Sequence, residues 1–155
     1  DNIASGDDML LMNKIKKVFP HQIDALFATS SIVNTKPMTT WKAFVNQRIR
    51  WASKADKYQD KSIFWVLLTV YLFNFLLLLL FLFSFFNSQA LYYSFIFIFV
   101  KTFVELSFAF PVANFFSIEL KWWHIILQPI HIVYTVVAGW LGKFGSYQWK
   151  ERKVH

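Results

Sequence analysis

From Ser62 through Val100 the chain carries no charged side chain, and most positions in that stretch are Leu, Phe, Ile, Val or Tyr. Residues 63–86, broken only by Thr69, Asn74 and Ser84, suffice at about 1.5 Å per residue to cross a hydrocarbon core of about 30 Å. Asn87-Ser88-Gln89 is too short for anything but a turn, so a second span over residues 91–110 must run back, closed by Pro111 and Asn114. A third apolar segment, residues 122–141, is interrupted by His124, Gln128, Pro129 and His131. A mainly α membrane protein is therefore expected, with about three transmembrane or re-entrant helices in residues 62–142.

The 56% hydrophobic share exceeds that of a soluble domain, and nearly all of the excess lies after residue 62. Cysteine is absent, which excludes a disulfide framework and a thiolate metal site. A net charge of +7 would suit nucleic acid, but its distribution favours a bilayer: Lys42, Arg48, Arg50, Lys54, Lys57 and Lys61 thicken toward the first span. Such a flank faces anionic headgroups from the cytoplasm. Membrane lipids are thus expected partners and nucleic acid is not. Three full crossings would carry Lys143, Lys150, Arg152 and Lys153 of the basic tail, residues 143–155, to the outside against the positive-inside tendency. Either the tail is an exception or one segment is re-entrant, and the third is the better candidate because its histidines and proline are costly in lipid.

Ahead of the spans, Ser5-Gly6-Asp7-Asp8 precedes apolar residues at helical spacing, with Lys14, Lys16 and Lys17 in the last turns and Pro20 as the stop. Residues 23–34 read as a strand or extended segment, and Thr35-Lys36-Pro37 as a turn. Thr39 or Thr40 then caps a helix with Trp41, Phe44, Val45 and Ile49 on its apolar face and basic residues around the rest. A basic amphipathic helix just before a span lies along the interface, and residues 38–61 are assigned to it.

Three constellations carry chemistry. Asp7 and Asp8 stand at the mouth of a helix, where the dipole keeps a carboxylate ionised and fixed in place, as a general base requires; an ordinary helix cap is the competing reading. Gln47, Arg50 and Trp51 in Gln-Arg-Ile-Arg-Trp combine a planar fork suited to diphosphate oxygens with an indole suited to the C–H face of a sugar, although basic juxtamembrane helices also bind anionic headgroups. Lys101 and Glu105, four apart in the second span, form an ionisable pair at membrane depth, either lining an acceptor path or neutralising each other within the bundle. His124 and His131 share a face of the third segment, but a separation of seven is not that of a helical two-His metal site.

In this order, Gly-Asp-Asp followed by Gln-x-x-Arg-Trp immediately before paired spans resembles the C-terminal part of membrane-embedded family 2 glycosyltransferases, the group of cellulose, hyaluronan and poly-N-acetylglucosamine synthases. The resemblance implies that residues 1–37 are the C-terminal remnant of a cytoplasmic GT-A α/β catalytic domain in a bacterial inner or plasma membrane. It implies Asp8 as catalytic base with Asp7 beside it, Arg50 on the donor diphosphate with Gln47 as a polar partner, and Trp51 as acceptor platform. The donor would be a nucleotide sugar and the acceptor a lipid-linked or polysaccharide chain. A divalent metal, Mg or Mn, is implied for the intact parent, with ligands largely outside this chain, since the family's Asp-x-Asp is not present here. A fragment of this kind is expected to be inactive alone. The rival reading is a non-catalytic multispan membrane subunit that binds anionic lipid or a partner enzyme.

Overall fold

The computed structural model describes residues 7–24, 26–58, 60–149 and 152–154, and for residues 7–10 and 152–154 the backbone alone. The described residues are mainly helical, with one two-stranded sheet. The charge-free stretch folds as two long helices. α3 (Lys61–Phe83) and α4 (Ser88–Phe115) are joined through residues 84–87, and the Asn87 side chain caps α4 by accepting from the backbone N–H groups of Gln89 and Ala90. Both are long and apolar enough to cross a membrane, and only 11% of each apolar window is buried. A core helix of a soluble protein would hide those residues. Here Trp65, Val66, Leu76, Phe95 and Phe103 are all more than half exposed, an outward apolar surface that suits lipid.

The second span does not close at Pro111 as the sequence predicts. Pro111 lies within α4, which gives up one backbone hydrogen bond there and continues for another turn. The stop comes at Ser117, whose φ of 54° is left-handed. The Ser117 N–H bonds the Asn114 carbonyl and the Ile118 N–H bonds that of Ala113, the two-bond closure that ends many helices. Glycine usually fills that position, and its absence hides the stop.

The third segment is divided: α5 (Trp123–Ile126) and α6 (Gln128–Phe144) meet at Leu127, with Pro129 in the first turn of α6, where a missing N–H costs nothing. The break places His124 and His131 on different helices, so they do not share the one helical face expected of them. Residues 23–34 do not form a strand: among those described there, Thr29–Ser31 make a single 3-10 turn, closed by the Ser31 hydroxyl donating to the Ala28 carbonyl, and the remainder is irregular. A strand is stable only in a ladder with others, and no neighbouring strand pairs with this segment among the described residues.

The helices that precede the spans are α1 (Asp7–Val18) and α2 (Trp41–Ala52). Of the two candidate caps of α2, Thr40 is the one used, its hydroxyl accepting from the Ala43 N–H at 3.2 Å. After α6, strands β1 (Tyr147–Trp149) and β2 (Arg152–Val154) pair antiparallel, with Tyr147 opposite Val154 and Trp149 opposite Arg152. This hairpin lies where the sequence suggests only a polar tail, because Lys150-Glu151 is not a turn-forming dipeptide.

The described residues fall into two compact units. The first contains α1, α2, the beginning of α3, the end of α6 and the hairpin, around a small core of Ile49, Ala138 and Tyr147 with Val45 and Trp149 against it. The end of α6 approaches α2 closely: a Cβ at Gly142 would lie 2.7 Å from the Ala52 Cβ and 2.9 Å from the Ser53 nitrogen, so no larger residue fits there. Lys143 then donates to Asp56 at 2.8 Å, and this bond holds the Asp56 carboxyl below the usual carboxylate range. The second unit contains residues 27–34, the rest of α3, all of α4 and α5, and the beginning of α6. Its buried side chains include Asn74, Ser94, Lys101, Thr102 and Gln128, so these five polar residues face inward, while Gln89 and Ser107 stay exposed.

Candidate functional site

Gln47, Arg50 and Trp51 occupy positions i, i+3 and i+4 of α2 and therefore share one side of the helix. Gln47 and Arg50 are half-buried, while the Trp51 indole is 52% exposed. Arg48 lies between two rings, 4.9 Å from the Phe44 centroid and 4.7 Å from that of Trp51. Arg48 therefore backs the indole that the sequence assigns to a sugar, and about half of that indole stays open.

The hairpin packs against α2 and the residues just after it through Asn46, Arg50 and Lys54. The Asn46 side-chain amide pairs with the backbone of Gln148 in both directions, donating to its carbonyl and accepting from its N–H, each at 2.8 Å. The Lys54 ammonium, only 8% exposed, donates to the Tyr147 hydroxyl at 2.8 Å and lies 5.3 Å from the centre of that ring. The Arg50 guanidinium carbon stands 3.9 Å from the Trp149 ring centroid, close enough for face-to-face packing of cation on indole. Asn46 and Trp149 carry no signal in the sequence, and Lys54 stands out there only as one of the bases before the first span.

Asp7 and Asp8 open α1, and the sign of the helix dipole there favours a carboxylate. Their side chains, and the Ser5-Gly6 that precedes them, lie outside the described residues. Among the described residues no group of three His, Asp or Glu could hold a metal ion.

Lys101 and Glu105 form an ion pair at 2.5 Å, and the pair belongs to a larger cluster. Lys101 also donates to the Gln128 carbonyl oxygen at 2.7 Å and contacts His131 Nδ1 at 3.1 Å, while the Gln128 amide nitrogen donates to the second Glu105 oxygen at 2.6 Å. An ammonium in contact with Nδ1 requires the tautomer protonated at Nε2. With 4% of its side chain exposed, the lysine thus has one acceptor for each of its three N–H groups, as a buried charge needs. Gln128 and His131 were legible only as polar residues expensive in lipid. Their partners on α4 lie far away in sequence.

No family model, curated protein or solved structure matches the chain.

Proposed function

We propose that this chain is the C-terminal part of an integral membrane glycosyltransferase of the family 2 kind, which transfers a sugar with inversion from a nucleotide-sugar donor to a lipid-linked or polysaccharide acceptor. The observation that carries the proposal is the single side of α2 on which Gln47, Arg50 and Trp51 stand together, directly before two helices apolar enough to cross a membrane. In this reading residues 1–37 complete a cytoplasmic GT-A domain, and Asp8 accepts the acceptor hydroxyl proton as that oxygen bonds to the anomeric carbon. The bond from that carbon to the diphosphate breaks, and the diphosphate departs with the electron pair. Arg50 holds its oxygens through a planar fork, and Trp51 presents an indole to the acceptor sugar. A divalent metal supplied with ligands by the rest of the parent would neutralise further charge on the leaving group.

In the same reading the tail, hydrogen-bonded to α2 through Asn46 and Gln148, stays on the side of the bilayer that holds α2, with α3 and α4 as the two crossings between them. The α5–α6 segment then returns to the side it left. A single cysteine introduced at Ser146 is expected to resist an impermeant thiol reagent added outside intact cells and to react once the membrane is opened. Labelling in intact cells would show that the third segment crosses fully.

Replacing Arg50 by lysine keeps the charge but removes the fork, and the donor KM is expected to rise about tenfold or more, the size of a lost charge-assisted hydrogen bond. Trp51→Ala is expected to reduce transfer to acceptor more than donor hydrolysis. A silent Arg50→Lys, together with a Trp51→Ala that chiefly weakened nucleotide binding, would reverse these two assignments. If neither change altered any transferase activity, the non-catalytic membrane subunit would be the better reading.

A further inference from the structure

We infer that the C-terminal hairpin is part of the donor site and that Trp149 is a positioning residue for Arg50. The inference rests on the reading of Arg50 as the ligand of the donor diphosphate. An arginine side chain is long and flexible, so an arginine that must meet a diphosphate in one orientation needs something to hold its plane. Trp149 is placed to do this, with its ring centre 3.9 Å from the guanidinium carbon.

The hairpin is anchored without using Arg50. Asn46 grips the Gln148 backbone at both its N–H and its carbonyl. Tyr147, 4% exposed, is buried against Ile49 and Ala138 and accepts from Lys54. Alternation along a strand puts Trp149 on the same face as Tyr147, so the anchor that buries the tyrosine also aims the indole at α2. The ring is fixed first and the cation rests on it.

The chemistry of the contact matters as much as its position. All five N–H donors of a guanidinium lie in its own plane, so a ring packed against the flat of the cation leaves them available to phosphate oxygens. A carboxylate in the same place would neutralise the charge and take up two of those donors. Among the described residues no carboxylate pairs with Arg50. Trp149 therefore orients the arginine without competing with an anionic ligand.

The test uses the full-length parent in native membranes, with UDP-glucose, UDP-N-acetylglucosamine and GDP-mannose as donors, and compares Trp149→Leu, Trp149→Phe, Arg50→Ala and the Trp149→Leu/Arg50→Ala double variant. Leucine keeps apolar bulk against the Ile49 core and removes the ring face, whereas phenylalanine keeps a face. Trp149→Leu is expected to raise the donor KM about five- to tenfold with kcat changed by less than about threefold, and Trp149→Phe to restore most of the loss. In the Arg50→Ala background Trp149→Leu is expected to add less than about twofold, because its effect passes through the arginine. Equal behaviour of Leu and Phe, a fall in kcat with the donor KM unchanged, or effects that multiply independently would overturn the inference while leaving Arg50 as a ligand. An Arg50→Ala variant with unaltered donor KM would instead remove the reading of the site, and the role of Trp149 with it.

Discussion

With Asp8 as the proposed catalytic base, Asp8→Asn in the full-length parent is expected to lower turnover by about 10² to 10⁴ while leaving donor affinity within about threefold. The amide has the shape of the carboxylate and is tolerated in the first turn of α1, whose helical backbone begins at Asp7, so the fold has little reason to respond. It lacks the basicity to take a proton from a sugar hydroxyl. Asp7→Asn is expected to have a much smaller effect, since the neighbouring acid is assigned support and not proton transfer. Steady-state kinetics with donor and acceptor varied separately distinguish the roles. Donor affinity falling in parallel with rate, or substantial turnover surviving in Asp8→Asn, would leave Asp8 with no role beyond the first turn of α1.

The second large effect is expected at Lys101. Replacing it with methionine removes the cation from a site where its side chain is 4% exposed and leaves Glu105 with Gln128 as its remaining amide donor. Breaking a buried pair from one side costs about 3–5 kcal/mol. A loss of this size is expected to appear as reduced folded protein in the membrane or a lowered midpoint of thermal unfolding. The charge-reversed double variant, Lys101→Glu with Glu105→Lys, is expected to recover more than either single reversal. Gln128 makes recovery possible, because rotating its amide presents the nitrogen to residue 101 and the oxygen to residue 105. Independent, additive losses would show that the two residues act separately, for example along an acceptor path, and that their pairing contributes little.

How much of this could be read beforehand depended on whether a feature was local. The two long apolar helices, the helix α2, its threonine cap and the Lys101–Glu105 pair all arise from residues within a few turns of one another, and periodicity or spacing reveals them. The end of α4 is hidden in the sequence because Pro111 looks like a stop, whereas the left-handed residue that ends the helix is Ser117, a side chain with no usual claim to that conformation. The strand expected over residues 23–34 needs a ladder that no pattern within those residues can supply. Trp149 under Arg50 and Gln128 between Lys101 and Glu105 are meetings of distant segments. Hydropathy marks such residues as unusual without naming their partners.

Transfer of radiolabelled sugar by the full-length parent in isolated membranes, scanned over a panel of nucleotide sugars beside its Asp8→Asn variant, tests glycosyl transfer most directly. The expected result is incorporation into lipid-linked or polymeric product from one donor of the panel, lost in Asp8→Asn and reduced in Arg50→Lys. Incorporation from no donor, or incorporation that both variants leave intact, would contradict it.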